Sequence, residues 1–241
     1  MILAAGFGSR LRPLTDRIPK PLIAVGGHPL IAYPLALLRA AGIREVIVNL
    51  HHRGDAIRAA LGDGAAFGMA ITYSDEPAIL DTGGGIRQAQ AFLGGDRFVV
   101  LNSDCIMDLD LRAVIAWHAR RRALATMALR PDREVARYGA VEIDADQRIR
   151  RFLGQPAAVD AALTPLMFTG VHVFEPAVFE HMAQGRFGIT RQTYPAMLSA
   201  GCALFGYVFE GYWRVLDTHA GLAEGRHDLA TRACLRAPHQ P

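Results

Sequence analysis

The first twenty-two residues constrain this chain more than any other stretch. Met1-Ile2-Leu3-Ala4-Ala5 is a short apolar run that ends in the turn Gly6-Phe7-Gly8. Ser9, Arg10, Leu11, Arg12 and the step Pro19-Lys20-Pro21 follow closely. A buried strand that ends in a Gly-x-Gly turn brings backbone N–H groups close to an anion, because no Cβ stands in the way. Ser9 adds a donor, and Arg10 and Lys20 bring charge to oxygens that water would otherwise solvate. The stretch is not a Walker A loop, since no Gly-Lys-Ser/Thr closes it, and it lacks the third glycine of the dinucleotide fingerprint.

The order of elements over the first half tells what surrounds this turn. Strand candidates at Met1–Ala5, Glu45–Leu50, Ala70–Ser74 and Arg97–Asn102 alternate with helical patterns at Pro29–Ala41, Gly54–Leu61, Gly85–Leu93 and Leu111–Arg121. Near-continuous Val/Ile/Leu strands separated by helices predict a parallel sheet covered on both faces. Ligands of such sheets sit beyond the carboxyl ends of the strands, where both Gly6–Arg10 and Asn102-Ser103-Asp104 fall. In the second half Leu124–Arg130, Tyr138–Ile143, Arg148–Leu153 and Leu166–Phe174 read as strands with few helices between them, and Asp144–Gln147 reads as a hairpin turn. Helical patterns return at Pro176–Met182 and Thr190–Ala200, a strand follows at Ala203–Phe209, and a last helix begins near His219. The expected fold is α/β, a mostly parallel central sheet with a more antiparallel extension.

At 241 residues the chain suits one larger α/β domain, taken as residues 1–236 with halves at 1–122 and 123–236 and a disordered tail at 237–241. The formal charge is only +3 and the basic residues are scattered. Arg120-Arg121-Arg122 is expected to be a solvated helix end rather than a nucleic-acid patch. Cys105, Cys202 and Cys234 form no Cys-x-x-Cys pair, and an odd number points to reduced thiols and a cytoplasmic setting, with Cys105 a small buried filler. Met1–Ala5 is too short for a signal peptide, and no run approaches the roughly 20 apolar residues of a membrane span. His172 reads as a satisfied core histidine, and His51-His52 has no carboxylate partner at metal spacing.

Among the carboxylates Asp104 stands out, because it follows the apolar strand Phe98 to Leu101 and falls at that strand's exposed end. Leu80-Asp81-Thr82-Gly83-Gly84-Gly85 is a second Gly-rich loop, whose backbone groups are expected to be open to a base edge.

The whole Gly6–Lys20 stretch with Asp104 resembles the signature of the sugar-1-phosphate nucleotidyltransferases, also called NDP-sugar pyrophosphorylases. The Asp-Thr-Gly-Gly-Gly form looks most like the branch containing N-acetylmuramate-1-phosphate uridylyltransferases and mannose- or heptose-1-phosphate enzymes. The resemblance covers nearly the whole chain and is strongest over Met1–Asp104. It implies a GT-A-like, Rossmannoid three-layer sandwich. The implied reaction transfers a nucleotidyl group from an NTP to a sugar 1-phosphate, with Mg²⁺, or Mn²⁺ as the alternative ion. It implies catalytic roles for Arg10, Lys20 and Asp104, and nucleotide contacts from Leu3, Ala4, Ala5, Gly6, Gly8, Ser9, Arg10, Asp81, Thr82, Gly83 and Asn102. Tyr138-Gly139 and Phe168-Thr169-Gly170-Val171 resemble segments that face the sugar, which places Gly139, Thr169 and Gly170 there with Trp213. No nucleic acid or membrane is implied, and a monomer and a homodimer both remain open.

Two features depart from the family pattern. Its Trp-x-Asp-x-Gly-Thr reads here Trp213-Arg214-Val215-Leu216-Asp217-Thr218, so valine stands where the second metal aspartate is expected. Asp217, two residues along the same strand face, is the candidate replacement beside Asp104. The family's Glu-Lys-Pro reads Gly154-Gln155-Pro156, without charge. These departures keep two alternatives in view: a cytidylyltransferase acting on a phosphonate or phosphocholine-type acceptor, and a nucleotide-sugar-binding paralogue with impaired catalysis.

Overall fold

The computed structural model describes residues 1–135, 139–156, 159 and 162–231. Tyr138, Cys234 and the 237–241 tail lie outside the described residues. In chain order, β1 is Ile2–Leu3, β2 Ala24–Val25, β3 His28–Pro29, α1 Ala32–Ala40, β4 Glu45–Leu50, α2 Gly54–Leu61 and β5 Ala70–Asp75. Next come α3 Asp81–Gln88, α4 Gln90–Leu93, β6 Phe98–Asn102, β7 Cys105–Met107, α5 Leu111–Arg121 and β8 Ala125–Arg130. The remaining strands are β9 Val141–Ile143, β10 Ile149–Phe152, β11 Thr164–Phe174, β12 Leu204–Val208 and β13 Trp213–Val215, with helices at Tyr194–Ser199 and His219–Thr231. The chain is α/β, as its periodicity predicts.

It divides into two compact units. The first holds Met1–Ile79, Leu101–Leu111 and the described residues from Gly211 onward; the second holds Leu80–Val100 and Arg112–Glu210. In the first unit β4 lies between β1 and β5, and β1 pairs on its other side with β6, every pairing parallel. All of Val46–Leu50 is buried, which is why β4 reads as a continuous apolar run. α2 is amphipathic, burying Ile57 and Leu61 four residues apart, and Gly62 stops it at φ 58°. The short antiparallel pair β7–β13 is seated on Leu11, Ile23, Leu30, Ile106, Leu216 and Leu222, a core cluster of this unit.

The second unit is largely antiparallel. β11 pairs antiparallel with β8 and β9, and β9 with β10, while β12 joins β8 in parallel. Asp144 Oδ1 accepts the N–H groups of Asp146 and Arg148, both at 3.0 Å, and so closes the turn between β9 and β10. The β11–β8 register shifts between Phe168 and His172, where Gly170 takes φ 86°. The core here is aromatic. Phe152 stacks on Tyr194 at 5.3 Å, and the fully buried His172 meets the Tyr194 hydroxyl at 2.7 Å. Burial of that imidazole pushes its pKa down to about 3. Arg121, at the end of α5, lies over Trp117 and Phe205, so part of the arginine run is spent on a cation–π contact.

One expectation needs correction: Gly83–Gly85 is not a loop before a helix but lies inside α3, which begins at Asp81. The helical patterns at 176–182 and 190–200 are helical in the structure, the first as a 3₁₀ helix, Pro176–His181, the second as a π turn, Ile189–Thr193, that runs into the α-helix Tyr194–Ser199. Among the described residues no helix is long and apolar enough to cross a membrane.

Candidate functional site

The Gly6–Lys20 segment, Asn102–Asp104 and Trp213–Thr218 all belong to the first unit. β1 is only two residues long; the chain leaves the sheet after Leu3 and turns through Gly6, Phe7 and Gly8. Gly8 takes φ 62° at the head of the 3₁₀ turn Ser9–Leu11, and its carbonyl accepts Leu11 N–H at 2.9 Å. A Cβ at Gly8 would come within 2.8 Å of Thr15 and 3.1 Å of Lys20, so glycine is required there by packing as well as by dihedral. The Thr15 hydroxyl donates to Gly8 O at 3.0 Å and holds the turn closed. At Gly6 a Cβ would meet no protein atom within 4 Å. Among the described residues no acceptor takes the N–H of Gly6, Phe7, Gly8, Ser9 or Arg10, and Gly6, Phe7, Ser9 and Arg10 are exposed. Successive amides without internal partners form a concave surface suited to an anion.

Two ion pairs line this turn. Lys20 Nζ is paired with Asp104 Oδ2, both side chains largely buried. Arg10 is paired with Asp217 at 2.7 Å; Asp217 is buried, whereas Arg10 is mostly exposed. Asp104 and Asp217 come from different strand ends but are tied together, because Leu216 N–H donates to Asp104 O at 2.8 Å. Val215 pairs with Cys105 in the β13–β7 ladder, next to Asp104. Cys105 is buried and its Sγ lies 3.5 Å from Asp104 Oδ1. Burial, then the neighbouring carboxylate of Asp104, pushes that thiol well up, so it remains protonated and inert. Leu3 and Asn102 face each other across the β1–β6 pairing, and Ala4 and Ala5 are buried just beyond it. Trp213 opens β13 opposite Met107.

Asp81, Thr82, Gly83, Gly139, Thr169 and Gly170 belong to the second unit. Here the open backbone expected of the glycine run is not found. Gly83 and Gly84 are buried, and both N–H groups donate to Phe187 O, at 2.9 and 3.1 Å. A Cβ on Gly83 would run into the Phe187 ring, so this glycine makes room for a neighbouring side chain. Asp81 is exposed in the left-handed region at φ 62°, with Oδ1 accepting Thr82 N–H at 2.7 Å. The Thr82 hydroxyl accepts Ile189 N–H at 3.0 Å. Thr169 is fully buried with its hydroxyl donating to Ala128 O at 2.8 Å, which engages it inside the sheet. Gly139 takes φ 92°.

Asn49, His52 and Glu76 carry no signature that sequence reading would select, yet each contacts the backbone around the first turn or supports a residue that does. Among the described residues no three His, Cys, Asp or Glu side chains gather as a ready metal cage. The donor chemistry present is a pair of carboxylates, Asp104 and Asp217, beside a phosphate-type turn. That set fits a hard cation that keeps several waters and takes its remaining ligands from phosphate oxygens.

Residues 1–232 match the family model described as nucleotidyl transferase. A mannose-1-phosphate guanylyltransferase of Mycobacterium tuberculosis is 34% identical over 231 residues, covering 95% of this chain and 64% of that protein. A UTP--glucose-1-phosphate uridylyltransferase of Synechocystis is 34% identical over 227 residues, covering 88% of this chain and 58% of that protein. The chain thus spans less than two thirds of the length of these two relatives. An N-acetylmuramate alpha-1-phosphate uridylyltransferase of Neisseria meningitidis is 40% identical over 193 residues, covering 77% of this chain and 78% of that protein. Among solved structures, a Bacillus anthracis protein described as a glucose-1-phosphate thymidylyltransferase superposes with a TM-score of 0.80 at 25% identity. It covers 95% of this chain and 94% of its own.

Proposed function

The chain belongs to the nucleotidyl transferase family, and from that membership we propose that it transfers a nucleotidyl group from an NTP to a sugar 1-phosphate and releases pyrophosphate. The observation that carries this reading is the turn Gly6–Arg10: five backbone N–H groups without acceptors among the described residues, beside two cations. In the reaction a sugar phosphate oxygen attacks the α-phosphorus and pyrophosphate leaves in line, so the protein's work is positioning and charge neutralisation. The turn holds the phosphate oxygens by its amides. Arg10 neutralises the β- and γ-phosphates as pyrophosphate departs, and Lys20 bridges the reacting groups. Each cation exchanges its carboxylate partner for phosphate as the nucleotide enters.

Asp104, with Asp217 in place of the missing carboxylate at Val215, would hold Mg²⁺ or Mn²⁺. When bound, that ion supplies positive charge to the phosphates. Leu3, Ala4, Ala5 and Asn102 place the nucleoside end, with Asp81 and Thr82 as base contacts and Gly83 supporting them by packing. The base is uracil or guanine, in keeping with the relatives' uridylyl and guanylyl names. On the acceptor side the reading keeps Gly139, Gly170 and Trp213, with Thr169 acting through the sheet. With Gln155 in place of a lysine, the acceptor site is less cationic than the family pattern. Reduced, unpaired Cys105 and Cys202 accord with a cytoplasmic enzyme.

The test is pyrophosphate release with Mg²⁺ across the four NTPs and a panel of sugar 1-phosphates. Release with one pair, lost in Asp104→Ala, is the expected result. A second reading, a nucleotide-sugar-binding module without turnover, draws on Val215. Silence across the panel, together with a melting temperature still raised by NTP, would select it, and Val215→Asp should then restore turnover.

A further inference from the structure

β4 is flanked on both sides, by β1 and by β5, and its one polar residue inside the buried run Val46–Leu50 is Asn49, 3% exposed. A buried carboxamide is costly unless both of its halves are hydrogen-bonded. Both are. Asn49 Oδ1 accepts Ala4 N–H at 2.8 Å, and Asn49 Nδ2 donates to Glu76 Oε1 at 2.7 Å. The strand register explains the first bond. The β1–β4 pairing ends at Leu3 opposite Asn49, so Ala4 is the first residue past the ladder. The Asn49 side chain takes the N–H just as the chain departs toward Gly6.

Glu76 follows β5 and is also 3% exposed. Its N–H donates to Leu50 O at 2.8 Å, and its carbonyl meets His51 Nδ1 at 2.8 Å. Together with the Asn49 bond, these fix Glu76 to three successive residues of one segment. The next residue continues the frame: His52 N–H donates to Ala5 O at 3.4 Å, and His52 Nε2 meets Thr15 O at 3.2 Å. Thr15 in turn holds Gly8. The turn with the free amides therefore hangs from the carboxyl end of β4 at Ala4, Ala5 and, through Thr15, Gly8.

We infer that Asn49, backed by Glu76, is a positioning residue that sets the Gly6–Arg10 turn in the orientation in which its free N–H groups converge on the nucleotide's phosphates. The inference rests on the nucleotidyl-transfer reading. A carboxamide is suited to the place because it offers an acceptor to Ala4 and a donor to Glu76 at once; an ionised aspartate has no donor and a leucine has neither.

The test uses the full chain, with UTP and GTP as probes, and compares wild type with Asn49→Asp, Glu76→Gln and the double variant Asn49→Asp/Glu76→Gln. Asn49→Asp keeps the acceptor for Ala4 but sets carboxylate against carboxylate at Glu76. The expected result is an NTP KM raised about tenfold or more, with the KM for the sugar phosphate unchanged. In the double variant the amide introduced at position 76 can donate to the carboxylate introduced at position 49, and NTP KM should return to within about threefold of wild type. Glu76→Gln alone keeps an acceptor oxygen for Asn49 and should stay within about threefold too. A purely structural asparagine would lower the melting temperature and leave the NTP KM of the folded fraction unchanged. That outcome, or a double variant no better than the single, overturns the inference. If Asn49→Asp does not fold, Asn49→Leu, which offers neither an acceptor to Ala4 nor a donor to Glu76, replaces it, with an NTP KM raised about tenfold or more in the folded fraction and no rescue by Glu76→Gln. A wild-type chain that transfers nothing overturns the nucleotidyl-transfer reading instead. The rise in melting temperature given by UTP or GTP alone then reads the effect of Asn49, and no rise in wild type overturns both.

Discussion

Two glycine-rich stretches in this chain look alike in sequence and differ in what they do with their amides. In Gly6-Phe7-Gly8 the N–H groups have no acceptor among the described residues, and most of the turn is exposed. In Gly83-Gly84-Gly85 all three residues are buried, and two of the N–H groups converge on Phe187 O. A Cβ would meet open space at Gly6 and an aromatic ring at Gly83. Glycine content alone therefore does not distinguish a ligand turn from a close packing contact. The destination of each backbone donor does, because a buried amide must be satisfied from within and an exposed one need not be.

The sharpest way to break this contrast is to remove a cation from the first turn. Lys20→Met should lower the rate of pyrophosphate release by about 10²- to 10³-fold, the usual loss of a charge-stabilising donor. An unchanged rate would make the turn an ordinary loop. The glycines themselves come next. Gly83→Ala should act mainly on stability, costing about 1–3 kcal/mol in denaturant unfolding through overpacking against Phe187, while the NTP KM of the folded protein rises by less than about threefold as Thr82 is displaced. Gly6→Ala should do the reverse, leaving unfolding unaltered while NTP affinity falls about tenfold, or about 1.4 kcal/mol. If both variants behave alike, the distinction drawn from their amides fails.

Acid should expose a difference in how the second unit is held. His172 has a folded pKa of about 3 against an ordinary 6.5, so the unfolded chain binds the proton first. Its contribution to stability is complete above pH 6.5 and is lost as the pH falls toward 3, at about 1.4 kcal/mol per pH unit. Urea unfolding as a function of pH should show that slope reduced by one proton in His172→Phe. The smallest effect belongs to the clasp on the first turn. Thr15→Val removes the hydroxyl bond to Gly8 O and should cost about 1 kcal/mol or less.

Much of the fold is legible in the sequence because its periods are unambiguous. Glu45–Leu50, Gly54–Leu61 and Leu111–Arg121 have the same bounds in sequence and in structure, each an apolar pattern closed by glycine or polar residues. β2, β3 and β7 leave no such trace, since two or three residues carry no period. The glycines of α3 read as a loop because propensity argues against them in a helix, and the contact with Phe187, more than a hundred residues away, overrides it. Lys20 and Asp104 stand 84 positions apart, so their pairing follows from the topology of β1 and β6 and not from spacing. Asn49 is hidden for another reason: within EVIVNL, a single asparagine looks like a blemish in a strand.

The Lys20–Asp104 and Arg10–Asp217 pairs also bear on how a nucleotide arrives. Two cations and two carboxylates sum to zero, so the free turn casts little field beyond its own dimensions. Long-range attraction of a polyanion needs uncompensated charge. Encounter should therefore be governed by diffusion and orientation, with an association rate that changes little between dilute and physiological salt. Any strong salt dependence should appear in dissociation, after the ion pairs have changed partners.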